Sequence, residues 1–196
     1  EKTMQDESRI TDDHLMEAVS RGDESAAGRL YARYADPVYR ICYRVLLDEG
    51  FAKDSAQEAW IKVFQNARRF QPGTSLRSWI ATIAVRCAID GCRKHKRVQT
   101  VAWEEEAGAA WNTVPPSARD EVEEQEIHEA IQGVLSRLTV QQRAAFVLRH
   151  YEDTPLRDIA RALNCSEGAV KSHIHRAVTA VRKALADYPA CQELEP

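Results

Sequence analysis

Apolar residues recur three or four positions apart along most of this chain, which is the spacing of helices with one buried face. A helix is predicted from Thr11 or Asp12 to about Gly22, and a second helix begins at Asp23. Pro37 is expected to open a further turn, because proline is best tolerated in the first turn of a helix. No stretch alternates apolar and polar residues as a half-buried strand would. The pattern therefore predicts an all-α fold.

Two of the predicted helices carry aromatic residues on the face assigned to the core. The inward stripes are, in chain order, Ala26, Ala27, Leu30, Tyr31 and Tyr34, and then Ala56, Ala59, Trp60, Val63 and Phe64. The second of these helices, over residues 54–66, has an outer surface of acid and amide groups. Such a surface suits protein docking, and it is equally typical of an ordinary amphipathic helix.

A loop followed by a basic helix comes next. Proline and glycine predict the loop over residues 68–75, and Thr74 or Ser75 is expected to cap a helix over residues 76–94. Residues 68–97 contain eight basic residues and one acidic residue. This combination indicates a site for single-stranded DNA, because cations hold the phosphates while a loop pocket accepts an unstacked base.

A helix-turn-helix pattern occupies residues 154–185. Thr154 is expected to cap the first helix, with Pro155 at its first helical position. Asn164 is predicted to end that helix, since Asn tolerates the left-handed conformation, and Ser166 to cap the next. The second helix has a basic outer face and is predicted to lie in the major groove of DNA. The alternative is an antiparallel helix pair whose basic face is only solvated.

Charge and composition divide the chain into two helical domains joined by a flexible linker. Residues 98–126 hold eight acidic residues and one basic residue, and residues 98–119 include two adjacent prolines and lack helical spacing. The predicted division is a flexible N-terminus over 1–11, a first domain over 12–97, an acidic linker over 98–121, a second domain over 122–188 and a tail over 189–196.

The remaining composition limits the class of function. No apolar run is long enough for a membrane span and the first ten residues are polar, so we expect a cytoplasmic protein without membrane insertion. The five cysteines lack a CxxC pair, and the spacing of Cys87, Cys92 and His95 suits zinc poorly. No nucleophile triad or phosphate-binding glycine loop stands out, so we expect no enzyme, cofactor or metal.

These features together resemble a bacterial sigma factor of the sigma-70 family, in its extracytoplasmic function (ECF) group. The stretch DSAQEAWIKVFQNARRF resembles the region 2 helix that docks on the polymerase clamp, and GTSLRSWIATIAVRCAIDGCRKHKR resembles the promoter-melting segment. The stretch LSRLTVQQRAAFVLRHYEDTPLRDIARALNCSEGAVKSHIHRA resembles region 4. The order and spacing of these segments carry the resemblance, and the short linker between them fits the ECF group.

The resemblance implies three sets of site residues. The polymerase-binding set is Asp54, Gln57, Glu58 and Trp60. The set for the minus-ten element is Phe70, Thr74, Ser75, Arg77, Trp79, Arg86, Arg93 and Lys94, with the loop from Phe70 to Ser75 capturing a flipped base. The set for the minus-35 element is Lys171, Ser172, His175 and Arg176.

The implied partners are core RNA polymerase, promoter DNA in duplex and single-stranded form, and an anti-sigma factor. The implied function is transcription initiation without catalysis by this chain. Two alternatives stay open at this point. One is a helix-turn-helix regulator that acts on duplex DNA without polymerase, and the other is a thiol- or metal-sensing binding protein that uses the cysteines.

Overall fold

The computed structural model describes residues 11–99, 131 and 133–185, and all regular structure within them is helical. The predicted all-α fold is thereby confirmed. A 3-10 turn follows α3, and a short helical segment over residues 133–137 precedes α5. The helices are α1 Asp12–Ser20, α2 Glu24–Leu46, α3 Glu49–Gln65, the 3-10 turn Ala67–Arg69, α4 Leu76–Gln99, α5 Val140–His150, α6 Leu156–Leu163 and α7 Glu167–Leu185.

The starts of the first helices follow from their capping residues. The Thr11 hydroxyl accepts a hydrogen bond from the amide of His14, and the Asp23 carboxylate accepts one from the amide of Ala26. Both interactions satisfy amide groups that have no partner inside the helix. Gly22 ends the turn between the two helices with a φ of 91°, a value that glycine adopts without strain. The predicted extent of α1 and the predicted start of α2 agree with the structure to within two residues.

The prediction that Pro37 opens a new turn is wrong, because Pro37 lies inside the continuous helix α2. Proline removes one helical hydrogen bond and crowds the preceding turn, at a cost of roughly 3 kcal/mol. Burial on both sides of the proline offsets this cost, since Leu30, Val38 and Val45 are each at most 1% exposed. Tertiary packing therefore overrides the local preference for a break.

The first helical unit consists of α1 to α4. Its core is built where α2, α3 and α4 meet, around the fully buried side chains of Val63, Ile80 and Val85. Helices α3 and α4 approach closely at Gly91, where an added Cβ would lie 2.9 Å from the Ser55 hydroxyl oxygen. The close approach explains why this position on α4 carries no side chain.

The second helical unit consists of α5 to α7. Thr139 and Gln142 form a capping box at the start of α5. Asn164 ends α6 with a φ of 52°, and the Ser166 hydroxyl accepts a hydrogen bond of 3.2 Å from the amide of Ala169, as predicted. The start of α6 differs from the prediction.

Thr154 does not cap α6, contrary to the prediction. Its hydroxyl donates instead to the carbonyl oxygen of Glu152 at 3.4 Å, and its side chain is fully buried. Pro155 occupies the capping position, with an extended backbone and no side-chain hydrogen bond. The buried turn between α5 and α6 takes Thr154 away from the helix end, so its hydroxyl bonds locally within the turn.

The two units pack against each other around one continuous core. Buried residues of α5 and α6, among them Val147, Leu148 and Ile159, belong to the same cluster as Val38 and Ile80 of the first unit. Both units were predicted from the sequence, whereas the contact between them was not. Helix α4 was predicted to end near residue 94 and continues to Gln99, so it includes residues 98 and 99 of the predicted linker. Residues 100–121 of that linker and the tail over 189–196 lie outside the described residues.

Candidate functional site

The predicted polymerase-binding residues lie on the outer side of α3, with one exception. Asp54 and Gln57 are exposed, and Glu58 is half-buried. The Glu58 carboxylate pairs with Lys62 at 2.9 Å and with Lys94 of α4 at 3.7 Å. The hydrogen bond from Lys62 lowers the pKa of Glu58 below its usual range, so this carboxylate stays ionised near neutral pH. Glu58 and Lys94, which were predicted to serve different partners, therefore lie beside each other.

Trp60, the exception, is only 6% exposed. Its ring lies between Tyr31 of α2, with ring centroids 5.0 Å apart, and Phe64, with centroids 5.5 Å apart. These two neighbours are 49% and 37% exposed, so the prediction that Tyr31 and Phe64 lie in the core is wrong. They cover Trp60 and face outward themselves.

Ile61 completes an apolar surface on this side of the first unit and is 56% exposed. We call the surface formed by Tyr31, Ile61, Phe64 and Gln57 the α3 patch. Exposed large apolar side chains that lie together indicate an interaction surface, whereas isolated ones are ordinary. Ile61 was not among the site residues predicted from the sequence. Ile61 lies four residues after Gln57 and three before Phe64, and this helical spacing places the three residues on the same face of α3.

The loop before α4 is held by local hydrogen bonds. Phe70 is 8% exposed and meets the Trp79 ring edge-on, with centroids 5.6 Å apart. The Ser75 hydroxyl accepts from the amide of Ser78 at 3.2 Å and caps α4. The Gly73 amide donates to the Asp13 carboxylate of α1 at 2.9 Å. The loop is thus anchored at both ends, while Thr74 and Ser75 stay exposed.

The cationic residues predicted on α4 are all exposed, and two of them contact the second unit. Arg77 donates to the Glu152 carboxylate at 2.7 Å and to the carbonyl oxygen of Tyr151 at 3.1 Å. The hydrogen bond to Glu152 raises the pKa of Arg77 above its ordinary value. Arg86 donates to the carbonyl oxygen of Arg161 at 2.7 Å. The other two predicted residues, Arg93 and Lys94, lie near the end of α4 away from these contacts.

A cleft of about 550 Å³ separates the loop and α4 from α6. Four arginines line it, two from each unit, together with hydroxyl groups and Trp79. Its acidic lining residue, Asp158, lies 3.3 Å from Arg161. The arginines are Arg69, Arg86, Arg157 and Arg161. A cleft with this lining can hold phosphate groups beside an unstacked base.

The four residues predicted for the minus-35 element share the outer face of α7. Lys171, Ser172, His175 and Arg176 are all exposed. The opposite face of α7 packs on the second unit through Val170 and Ala177, which are fully buried. One face of α7 is therefore packed against the second unit and the opposite face is open to solvent, which is the arrangement that a helix needs to enter a DNA groove.

Both helical units match known families. Residues 30–98 match Sigma-70 region 2, and residues 128–181 match Sigma-70, region 4. The ECF RNA polymerase sigma factor SigW of Bacillus subtilis is 32% identical over 176 residues, which cover 86% of this chain and 94% of SigW. The chain belongs to the sigma-70 family, in its ECF group. Sigma factors are transcription initiation factors and not enzymes, which confirms the predicted absence of catalysis.

Two solved structures have the fold of this sigma factor. The sigma factor RpoE of Bartonella quintana, in complex with the anti-sigma factor NepR, gives a TM-score of 0.64 at 20% identity and covers 82% of this chain and 97% of RpoE. CnrH, in complex with the cytosolic domain of CnrY, gives a TM-score of 0.60 at 19% identity and covers 90% of this chain and 98% of CnrH. At these identities the likeness is evidence for the fold alone.

Two of the described cysteines of this sigma factor lie in the core. Burial raises the pKa of the Cys42 thiol to about 12, and burial also raises the pKa of Cys87. Both side chains are fully buried, while Cys92 and Cys165 are partly exposed.

Among the described residues, no three His, Cys, Asp or Glu side chains are grouped so that they could hold a metal ion. Every described helix is too short or too polar to span a bilayer.

Proposed function

We propose that this sigma factor binds core RNA polymerase through the outer side of α3 and reads its promoter with α4 and α7. The observation that carries the proposal is the placement of three exposed surfaces of different chemistry on three helices of one chain. The surface on α3 is apolar and amide-bearing, and the surfaces on α4 and α7 are cationic. A regulator that binds only duplex DNA would need the cationic surface on α7 and neither of the other two surfaces.

The polymerase interface is proposed to include Asp54, Gln57 and Glu58 together with the exposed residues of the α3 patch. Trp60 then acts by supporting the rings of Tyr31 and Phe64, since it offers little surface of its own. Apolar side chains surrounded by polar groups are the usual arrangement of a protein interface that forms and dissociates.

The minus-ten element is proposed to bind the loop and α4. Thr74, Ser75 and Trp79 would contact a flipped base, and the cations of α4 would hold the phosphates of the opened strand. Extrusion of a base costs a few kcal/mol, which stacking and hydrogen bonds in a pocket offset. The eight residues assigned to this role are Phe70, Thr74, Ser75, Arg77, Trp79, Arg86, Arg93 and Lys94.

The minus-35 element is proposed to bind the outer face of α7. Lys171 and Arg176 can donate to guanine edges or phosphates, and Ser172 and His175 can bond to either. A good side-chain pairing with a base edge discriminates by about 1–3 kcal/mol. Truncation of Arg176 would therefore reduce preference for the correct element more than it reduces binding to DNA in general.

The proposed domain boundaries are 12–97 for region 2, 98–121 for the linker and 122–188 for region 4. Because polymerase and chromosome share the cytoplasm in bacteria, we place the protein there. An anti-sigma factor is proposed as its regulator, in line with the complex of the similar RpoE with NepR. Such a partner would cover surfaces that polymerase needs.

Run-off transcription tests the proposal. The full chain is added to sigma-free core polymerase on a library of genomic promoter fragments, and the transcripts are sequenced. Discrete start sites that share two spaced upstream elements are expected. Ile61→Glu should lower transcription and holoenzyme formation at least tenfold, because it places a charge within an apolar contact.

Glu17→Ala on α1 is the matched control, since Glu17 is exposed and lies outside the α3 patch. It should leave transcription within twofold of the unmodified chain. Sequence-specific duplex binding without any transcript would contradict the proposal and favour a regulator that acts without polymerase.

A further inference from the structure

The loop before α4 contains a tight turn over residues 71–74. Pro72 and Gly73 occupy its two central positions, and the Thr74 amide donates to the carbonyl oxygen of Gln71 at 3.2 Å. Gly73 has a φ of 80°, which the second central position of a type II turn requires and which glycine adopts without strain. Proline is favoured at the first central position of the same turn. The loop is therefore built on a type II turn.

Burial does not fix the form of this turn. Residues 71–75 are all exposed, while Phe70 before them and Leu76 after them are buried. A type I turn joins the same ends and differs in the orientation of its central peptide. Pro72 and Gly73 are compatible with both forms, so an interaction from outside the loop can select one of them.

Helix α1 supplies such an interaction. The Gly73 amide donates to the Asp13 carboxylate at 2.9 Å. This amide belongs to the central peptide of the turn, which is the group that the two turn types orient differently. The neighbouring carboxylate, that of Asp12, accepts from Arg33 at 2.7 Å and from the Tyr34 hydroxyl, and these bonds attach the start of α1 to α2. Asp13 therefore meets the turn from a fixed position.

The rest of α1 is held as well. Leu15 and Met16 are each 1% exposed and pack the middle of the helix on the first unit. At the end of α1, the Arg68 guanidinium donates to the carbonyl oxygen of Ser20 at 3.2 Å. The helix can thus act as a rigid support for the loop.

We propose that Asp13 is a positioning residue for the loop that captures the flipped base. By accepting the Gly73 amide it keeps the turn in its type II form, so the loop meets the base in one conformation. A loop that is ordered in advance loses less freedom on binding, and its donors and acceptors favour one base over the others. The inference rests on the proposed minus-ten role of the loop. Asp13 lies outside residues 30–98, which match region 2.

The test measures base preference in transcription by the holoenzyme. Run-off transcription is compared on promoters in which each position of the minus-ten and minus-35 elements carries every base in turn. Asp13→Ala should lower the preference at the minus-ten position that the loop captures by about fivefold, which is the size of one hydrogen bond. Preferences in the minus-35 element should stay within about twofold, because distant sites do not couple.

Two variants separate the hydrogen bond from other effects of the carboxylate. Asp13→Asn removes the charge but keeps an oxygen that can accept from the Gly73 amide, so its preference should lie within about twofold of the unmodified chain. Glu17→Ala removes an acid from the same helix, where it pairs with Arg21 at 2.8 Å, and should change no preference. Equal losses with Asp13→Ala and Glu17→Ala, or no rescue by Asp13→Asn, would overturn the proposal.

Gly73→Ala disturbs the same turn from the side of the loop. Alanine is strained at a φ of 80°, whereas nothing lies within 4 Å of its added Cβ, so the substitution disfavours the type II form without a clash. It should lower the same base preference as Asp13→Ala does. Because both substitutions act on one turn, the double variant should lose no more than the stronger single variant. Losses that multiply would show that Asp13 acts elsewhere and would refute its positioning role.

Thr74→Ala distinguishes failure of the positioning role from failure of the proposed role of the loop. Thr74 is assigned to the base itself, so its truncation should alter the minus-ten preference independently of Asp13. No change with either Thr74→Ala or Gly73→Ala would refute the minus-ten role of the loop, and the inference with it. A change with both of these variants and none with Asp13→Ala would refute only the positioning role.

Discussion

The guanidinium of Arg143 donates a hydrogen bond of 2.8 Å to the main-chain carbonyl of Val45 and so connects α5 to the C-terminal end of α2. The same side chain donates to the carbonyls of Leu135 and Leu138 at 3.0 and 3.3 Å. Arg143 is 8% exposed, and burial lowers its pKa below the ordinary value for arginine. One cation thus serves carbonyl groups at two helix ends, where the backbone has no partner of its own.

Arg143→Met should destabilise the chain by about 2–4 kcal/mol, because it leaves buried carbonyl oxygens without a donor. The midpoint of urea unfolding, followed by circular dichroism, measures this change. Arg137→Met is the matched control at an exposed position, where the change should stay within about 0.5 kcal/mol. Equal midpoints for the two variants would show that the Arg143 hydrogen bonds contribute nothing.

Gly91→Ala should destabilise the chain by about 1–2 kcal/mol. The new methyl group would lie 2.9 Å from the buried Ser55 hydroxyl, and overpacking costs typically about 1–3 kcal/mol. The higher helix propensity of alanine returns about 0.5–1 kcal/mol of this cost. Gly28→Ala on α2 isolates the propensity, because nothing lies within 4 Å of its added Cβ.

Thermal unfolding of both glycine variants checks the prediction, with Gly28→Ala expected to raise the melting temperature and Gly91→Ala to lower it. Ser55→Ala in the Gly91→Ala background should recover part of the loss, since it removes the oxygen in close contact. A melting temperature raised equally by both glycine substitutions would exclude the steric explanation.

Ser166→Ala should cost about 1 kcal/mol of stability, because the amide of Ala169 loses its acceptor at the start of α7. Equilibrium unfolding in urea measures the change in the free energy of unfolding. Ser172→Ala is the matched control within the same helix, and it should be neutral or slightly stabilising, since a mid-helix serine competes with the backbone. The prediction fails if both substitutions change stability by the same amount.

Cys42 should resist alkylation by iodoacetamide at pH 8 in the folded chain. A thiol whose pKa is raised to about 12 is almost entirely protonated at that pH, and only the thiolate reacts. The thiolate fraction grows as the pH rises, so resistance should weaken only well above pH 8. Mass spectrometry of the alkylated peptides, with and without urea, measures the reaction at each cysteine.

Cys92 is partly exposed and should react under the same native conditions, which makes it the internal control. Cys42 should react at a comparable rate only in urea. Rapid native alkylation of Cys42 would contradict its burial and would revive a thiol-sensing function for this cysteine.

Local sequence signals predicted the helix-turn-helix well. The left-handed Asn164, the cap at Ser166 and the two faces of α7 all follow from residue preference and spacing, because each involves neighbours within one or two turns. Thr154 is the exception among these local features, because the buried turn directs its hydroxyl to the carbonyl oxygen of Glu152.

Contacts over long sequence separations were not predictable in this way. The hydrogen bond from Arg143 to Val45 and the ion pair of Arg77 with Glu152 join residues that no periodic pattern relates. Helical spacing also cannot separate a buried aromatic ring from one that covers its neighbour and faces outward, which is why Tyr31 and Phe64 were misplaced. Pro37 was misplaced because packing outweighed its local preference.

The outer face of α7 has a consequence for evolution. Lys171, Ser172, His175 and Arg176 lie outside the packed core, so their replacement changes folding free energy little. With the proposed recognition by this face, one copy of a duplicated gene can therefore acquire a new set of target genes through a few surface substitutions while the inherited core stays the same. Regulation can then diversify at little cost in stability, because the proposed recognition surface and the packed surface lie on opposite sides of one helix.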